Sequence, residues 1–161
     1  MQKCRGFTLL ELVIVVVITG IIAASSSTLL MQGFSGYFTG RDIINASEQG
    51  SVALERMTRE IRLVASSASI TTATASQFSF TDVNANTISY SLSGSQLIRT
   101  YNSVSYPLAD NIGGLTFTYY TSAGAVTTTI ANIRYVVITL NISFTTFNYN
   151  LYATVYPWNL K

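Results

Sequence analysis

The amino-acid sequence contains no histidine and only one cysteine among its 161 residues. The absence of imidazole excludes the histidine general bases, the Ser–His and Cys–His nucleophile pairs and the imidazole metal sites that most enzymes use. The single thiol, Cys4, forms neither an internal disulfide nor a thiolate metal cage. We therefore expect a protein with no enzymatic activity, no cofactor and no bound metal.

Charged residues are also scarce, because Asp, Glu, Lys and Arg make up 10% of the chain, where a soluble domain has about 25%. The net charge of +2 comes from nine basic and seven acidic residues that are spread along the sequence. No basic stripe is available to release counterions from DNA or RNA. The composition is not that of an ordinary cytosolic domain, and a nucleic acid is not expected as a partner.

A long hydrophobic run, residues 7–24, contains only one charged residue, Glu11. At 1.5 Å per residue, a helix of this length extends about 27 Å, which is close to the bilayer hydrocarbon thickness of about 30 Å. The uncharged residues 25–31 can lengthen it. Because Lys3 and Arg5 precede the run, the positive-inside rule predicts a cytoplasmic N-terminus and an exported remainder.

Three interpretations of this N-terminus are open: a secretory signal removed after Ala24, a plain membrane anchor, and a signal cleaved before its own hydrophobic run. An ionised carboxylate costs about 2.5–3.5 kcal/mol at the centre of a membrane helix and less near its end. A discarded signal has no reason to retain Glu11. Lipidation of Cys4 is disfavoured because this residue precedes the run.

Residues 5–12, Arg-Gly-Phe-Thr-Leu-Leu-Glu-Leu, resemble the processing site of type IV pilins and of type II secretion pseudopilins. The resemblance implies that a leader with the cations Lys3 and Arg5 is cleaved after Gly6. It also implies that the new N-terminal residue, Phe7, is N-methylated and that Glu11 is used in assembly.

The same resemblance implies a structural protein, a minor pilin or pseudopilin that enters or initiates a type IV pilus or a type II secretion-like filament. Its implied partners are the prepilin peptidase/methyltransferase, an inner-membrane assembly platform and other pilin or pseudopilin subunits. Its implied location is the bacterial inner membrane, with the C-terminal domain in the periplasm, and then the pilus or pseudopilus. The alternative is a secreted or membrane-anchored adhesin-like β domain whose N-terminus only exports it.

The residue types suit these implied roles. Gly6 has no Cβ and leaves a protease access to the backbone, and cleavage creates an amino group on Phe7. That amine can pair with Glu11 of a neighbouring subunit in a filament core, where breaking one half of a buried pair costs about 3–5 kcal/mol. In the other interpretation, Glu11 is a helix-end acid in the headgroup region or a cap for Thr8.

Beyond Gly33, small and apolar residues recur at alternating steps of four and three, which places them on one face of a helix. These residues are Ile43, Ser47, Gly50, Leu54, Met57, Ile61, Val64 and Ala68. No proline interrupts the chain before Pro107. The sequence predicts a nearly continuous helix from Phe7 to about Ala65.

Two pairs of opposite charge lie four residues apart on the other side of this helix, Glu55 with Arg59 and Arg56 with Glu60. Residues 53–63 also resemble the second half of the helix in MSHA-pilus-type minor pilins and in the J-type pseudopilin group. We expect Arg56, Arg59 and Arg62 to lie on a solvated face.

After Ala68 the sequence becomes rich in Ser, Thr, Asn, Tyr and β-branched residues with two-residue alternation, which predicts strands. Apolar or aromatic residues occupy every second position in three segments: 88, 90 and 92; 115, 117 and 119; and 136, 138, 140, 142 and 144. Residues 149–156 are predicted to return antiparallel to the last of these segments. Turns are predicted at 93–95 and 122–125. We expect four to seven strands in one antiparallel sheet covered by the amphipathic helix, an α+β fold.

These patterns and the resemblance divide the chain into four predicted segments: a cleaved leader (1–6), a transmembrane and assembly half of the helix (7–31), an amphipathic half (32–68) and an exported β-sheet domain (69–161).

The β domain contains two carboxylates, Asp82 and Asp110, each in an Asn-containing turn. Asx-turn chemistry accounts for both without catalysis. The spacing of residues 82, 84 and 86 is that of the start of a calcium loop, but the later Gly and Glu are missing, so an ordinary turn is predicted.

Overall fold

A computed structural model describes residues 8–144 and 147–160 of the chain. The first element is helix α1, Leu9–Ile61. The chain divides into two compact units, Met1–Asp42 and Ile43–Lys161, and α1 contributes to both.

In the first unit, every described residue from Thr8 to Phe38 is exposed. Helix α1 starts two residues after the predicted position, at Leu9. The backbone carbonyl of Thr8 accepts the first helical hydrogen bond from Leu12 N–H at 3.2 Å, so Thr8 is the N-cap. Phe7, the predicted first residue of the helix, lies outside the described residues.

In the second unit, α1 presents one buried face to the β strands, as its periodicity predicts. The buried helical residues are Ala46, Gly50, Ala53, Leu54, Met57 and Ile61. At Gly50, a Cβ atom would lie 2.5 Å from Ile142 Cδ1 and 3.2 Å from Leu151 Cδ1, so glycine permits a close approach of helix and strands here. Ile43 and Ser47 are half-buried, and Ala68 is exposed, so the predicted face is confirmed except at its end.

Helix α1 ends at Ile61, about four residues before the predicted end near Ala65. The backbone N–H groups of Leu63 and Val64 donate to carbonyls three residues earlier, which tightens the last turn. Ala65 N–H then donates to Thr81 O at 3.1 Å, and Val83 N–H donates to Leu63 O at 3.0 Å. The prediction of a longer helix, including an amphipathic half up to residue 68, was wrong because strand-like pairing satisfies these backbone groups instead.

Within the described residues, the β domain contains eight antiparallel strands in two sheets, whereas the sequence predicts four to seven strands in one sheet. The first sheet has the order β1-β2-β3-β4-β5. Its strands are β1 (Ile70–Ala73), β2 (Gln77–Thr81), β3 (Thr87–Ser93), β4 (Gln96–Tyr101) and β5 (Val104–Ala109). The predicted turn between β3 and β4 is confirmed, because Gly94 is the first residue of a two-residue loop and has φ = 60°.

The second sheet has the order β6-β7-β8. Its strands are β6 (Ile112–Tyr120), β7 (Tyr135–Phe144) and β8 (Phe147–Val155). The predicted apolar face of β7 is confirmed, because Val136, Ile138, Leu140 and Ile142 are fully buried, and Phe144 at its end is half-buried. Short 3-10 turns occur at Ser67–Ser69 and Ile130–Asn132.

One hydrophobic core unites both sheets with the second half of α1. Phe78 of the first sheet contacts Phe117 and Tyr119 of the second, with ring centroids 5.8 and 5.5 Å apart. Such tilted aromatic pairs stabilise a core beyond the area that they bury. The predicted α+β class, a long N-terminal helix packed on antiparallel β structure, is therefore confirmed.

Candidate functional site: the N-terminal helix

The first turn of α1 contains the one charged side chain of residues 8–40, Glu11. Its backbone N–H donates to Thr8 Oγ1 at 3.3 Å, and its side chain is exposed. A carboxylate at this position is also favoured by the partial positive charge of a helix N-terminus. The structure therefore contains one half of a capping box, the Thr8 cap, while the role of the Glu11 carboxylate in assembly remains a prediction.

The remaining predicted site residues lie before the described part of the chain. The predicted cleavage and methylation site, with its residues Lys3, Arg5, Gly6 and Phe7, lies outside the described residues. Glu11 is the one predicted site residue that the structure positions, four residues after Phe7.

The surface that follows Glu11 is strongly apolar. The most apolar 18-residue window of α1 has a mean hydropathy of 2.4, and none of it is buried against the rest of the chain. Within the described residues, α1 is the one helix that is long and apolar enough to cross a membrane. An exposed apolar surface of this extent suits a bilayer or the packing of other helices, and not water.

A charged cluster that joins α1 to the first sheet, with Arg99 buried, was not predicted from the sequence. The carboxylate of Glu60, near the end of α1, accepts hydrogen bonds from Arg99 Nε at 2.9 Å, from Arg56 Nε at 3.1 Å and from the Tyr90 hydroxyl. Arg99 is 7% exposed, and its guanidinium also lies 4.5 Å from the centre of the Tyr101 ring. The predicted ion pair of Arg56 with Glu60 is thus confirmed as part of a larger cluster.

The cluster holds Glu60 in its charged form. Burial opposes ionisation, but the hydrogen bonds from Arg99, Tyr90 and Arg56 together outweigh it and lower the pKa of Glu60 from the usual value of a glutamate. Because the pKa is lower in the folded state, the resulting stabilisation is present above about pH 4.5 and is lost as the pH falls through the folded pKa. This arrangement ties α1 to the first sheet, which is a structural role.

We expect Arg99→Leu to lower the free energy of unfolding by about 3 kcal/mol, because it removes the buried cation beside Tyr90 and leaves Glu60 with only the exposed Arg56 as an ionic partner. The measurement is urea denaturation of the full chain in detergent at pH 7, followed by the fluorescence of Trp158, the single tryptophan. The matched control is Arg59→Leu, since Arg59 is exposed on the same helix and its loss should change stability by no more than about 0.5 kcal/mol. Equal effects of the two substitutions would contradict a structural role for the cluster.

The two carboxylates of the β domain make local hydrogen bonds. Asp82 Oδ1 accepts the backbone N–H groups of Asn84 and Asn86, both at 2.8 Å, which confirms the predicted Asx turn. Burial opposes ionisation of Asp82, but the donors from Asn86 and Asn84 outweigh it and lower its pKa. Asp110 accepts a hydrogen bond from Gln96 Nε2 at 2.7 Å. In residues 8–144 and 147–160, no group of His, Cys, Asp or Glu side chains is arranged to hold a metal ion.

Comparison with known proteins gives one match. Residues 1–27 match the family model described as the prokaryotic N-terminal methylation motif. No curated protein matches the chain. The matched residues include the predicted cleavage site, Glu11 and most of the exposed apolar part of α1. The N-terminal segment therefore carries the methylation motif of type IV pilin-like precursors, and the apolar helix that begins within this motif fits an inner-membrane anchor.

Proposed function

We propose that this protein is a minor pilin or pseudopilin, a structural subunit of a type IV pilus or a type II secretion-like filament. The observation that carries the proposal is the methylation motif in residues 1–27, which includes the start of an apolar helix whose most apolar window is not buried within the chain. The α+β fold supports it, because the second half of α1 packs on the β strands through its buried residues. The protein's role is then assembly, without catalytic turnover.

Processing prepares the subunit for assembly in this proposal. The leader, residues 1–6, holds Lys3 and Arg5 on the cytoplasmic side. A prepilin peptidase cleaves after Gly6, and the amino group of Phe7 is then methylated. The first half of α1 anchors the subunit in the inner membrane, and the C-terminal domain is in the periplasm. The assembly platform then moves the subunit into the filament.

Glu11 and Phe7 form the assembly contact in this proposal. Glu11 is the one charge between Thr8 and Gly40, and the helix around it is apolar and exposed, so it needs a cationic partner when other helices surround it. The amino group of Phe7 from a neighbouring subunit is such a cation. Their pairing neutralises both groups in the filament core and fixes the axial register of adjacent helices.

A finer assignment rests on residues 53–63. These residues resemble the helix of MSHA-pilus-type minor pilins and of J-type pseudopilins, and we infer that the protein is nearest to these groups. The exposed side chains of Arg56, Arg59 and Arg62 are consistent with this inference. An amphipathic helix of any protein can expose arginines on its solvated face in the same way.

The experiment that tests the proposal is the intact mass of the mature protein purified from membranes. We expect the loss of residues 1–6 and the gain of one methyl group, because both modifications are part of the same maturation. An N-terminus at Ser25 would instead support a secreted adhesin-like domain. An unprocessed chain would support a plain anchor, and either result would contradict the proposed function.

A further inference from the structure

The ends of the two sheets differ in how well they are protected against pairing with another strand. Strand β1 has only four residues and a register shift against β2 between Ile70 and Thr72. Strand β5 contains Pro107, and its pairing with β4 has a register shift at Leu108, between the partners of Leu97 and Ile98. Short strands, bulges and proline are devices by which natural proteins protect a sheet edge. Both ends of the first sheet are therefore protected.

The β6 edge of the second sheet is protected in another way. Ile112 N–H donates to Ser95 O at 2.9 Å, and Phe117 N–H donates to Ala75 O at 2.8 Å. Other segments of the chain thus occupy backbone groups of β6 that β7 does not use.

Strand β8 is different from these three edges. Its nine residues pair with β7 without a register shift, and they include no proline, glycine or charged residue. In the described part of the chain, the backbone of β8 makes hydrogen bonds only with β7. A long, regular and uncharged edge is a template for a further strand.

Two clefts separate β8 from α1, on either side of their close approach at Gly50 and Leu151. The first, of about 310 Å³, is lined by Ile43, Ile44, Ser47, Glu48, Phe147 and Tyr149. The second, of about 470 Å³, is lined by Ser51, Leu54, Glu55, Thr58, Arg59, Arg62 and Ala153. The Tyr149 hydroxyl is buried, and no described residue forms a hydrogen bond with it. The clefts offer space for side chains of a strand that extends the sheet beyond β8.

We propose that β8 accepts an extended segment of a different protein subunit, which becomes the fourth strand of the second sheet. The inference rests on the proposed function, because the filament supplies other subunits as partners. The cleft beside Ala153 contains two arginines, Arg59 and Arg62, and one acid, Glu55, so it has a net positive charge. The added strand is therefore expected to place an Asp or Glu side chain there.

A second copy of this chain does not meet that requirement. In residues 8–144 and 147–160, no strand contains an aspartate or a glutamate, so neither β8 nor another of these strands offers the acid. Two β8 strands can pair through their backbones, but the pairing leaves Arg59 and Arg62 without a carboxylate. Charge complementarity thus favours a segment from another subunit.

The test is photocrosslinking in cells that contain the complete filament system, with a benzophenone amino acid in place of Tyr152 in the full chain. Tyr152 is 65% exposed on β8, and an added strand would lie about 4.8 Å away. We expect a crosslink to a different subunit, mapped by mass spectrometry to an extended segment that carries Asp or Glu. The control position is Tyr106 on the protected edge β5, which should give no such product.

Two further variants, with one control variant, separate strand addition from a non-specific contact. Ala153→Lys directs a cation into the cleft beside Arg59 and should lower the crosslink yield by about tenfold, whereas Thr154→Lys adds the same charge on the exposed face and should leave it unchanged. Arg59→Gln with Arg62→Gln alters only exposed side chains and should also lower the yield. If Ala153→Lys proves sensitive to proteolysis, the arginine variant decides.

Three outcomes would overturn the inference: a crosslink to a second copy of this chain, equal yields at Tyr152 and Tyr106, or a yield that none of the variants changes. The intact mass of the same preparation distinguishes the two proposals. A correctly cleaved and methylated chain without the crosslink refutes strand addition alone. An unprocessed chain refutes the proposed function itself.

Discussion

Gly6→Val is expected to leave the full-length precursor in the membrane, with cleavage slowed by about a hundredfold or more, because a misplaced scissile bond costs an enzyme at least this factor. Valine introduces a side chain branched at Cβ on the residue whose carbonyl group is attacked in cleavage, and this side chain obstructs access to the backbone. Insertion should be unaffected, since it depends on the apolar residues that follow Gly6. The measurement is the ratio of precursor to mature chain in membrane fractions, read by intact mass.

Gly20→Val is the matched control for this experiment. Gly20 lies within the apolar helix α1, and no atom outside the local helix backbone and its two chain neighbours lies within 4 Å of the position that a Cβ would occupy. The same increase in side-chain volume there should leave cleavage after Gly6 unchanged. Normal processing of Gly6→Val would show that cleavage does not require glycine at this position and would remove the main support for the proposed site.

The sequence predicts elements well where the signal is local. The turn at Gly94 is recognisable because glycine is the residue that adopts positive φ without strain, and two alternating runs flank it. The next hairpin, between β4 and β5, was missed because its loop is Asn102-Ser103, with φ of 47° and 69°. Serine rarely adopts this conformation. Asn102 compensates by accepting the N–H of Thr87 at 2.9 Å through its side chain, a contact that sequence reasoning could not anticipate.

The N-terminal motif and the Glu60–Arg99 pair differ in how far apart their residues lie in the sequence. The N-terminal motif is readable because a peptidase recognises consecutive residues in one segment, and Gly6, Phe7 and Glu11 lie within six positions. The Glu60–Arg99 pair joins residues 39 positions apart. One signal was available in the sequence. Arg99 follows the buried Leu97 by two residues, so the strand pattern places both side chains on the inner face of the sheet. The sequence does not identify Glu60 as the partner of Arg99, because their contact depends on how the first sheet packs on α1.

The free edge of β8 depends on strand order, which the sequence does not contain. An uncharged strand such as β8 reads in the sequence like the central strand β7, because both alternate and neither has a charged residue. Only the pairing of β8 with β7 alone shows that one side of it is available. The same local pattern therefore predicts a strand but not whether that strand is an interface.

Glu11→Val is expected to leave insertion and cleavage intact and to lower incorporation into filaments by at least about tenfold, given the cost of about 3–5 kcal/mol for breaking a buried pair. Insertion improves when the acid is removed, because a carboxylate is costly in hydrocarbon. Assembly loses the partner of the neighbouring Phe7 amine. The measurement compares processed Glu11→Val with the native chain in sheared filament fractions and in crosslinking to other pilin subunits.

The hydrogen bond of Thr8 with Glu11 N–H supplies the control that separates pairing from helix capping. Thr8→Ala removes the cap that the structure contains at 3.3 Å but keeps the carboxylate, and the cap is worth about 1 kcal/mol. If Glu11 acts through its charge, Thr8→Ala assembles almost normally and Glu11→Gln fails like Glu11→Val, because glutamine keeps the shape without the charge. A subunit at the filament tip has a neighbour on one side only, so residual incorporation of Glu11→Val is expected there and not in the shaft. Undiminished incorporation and crosslinking of both Glu11 variants would show that Glu11 is only a helix-end acid and that assembly depends on other contacts.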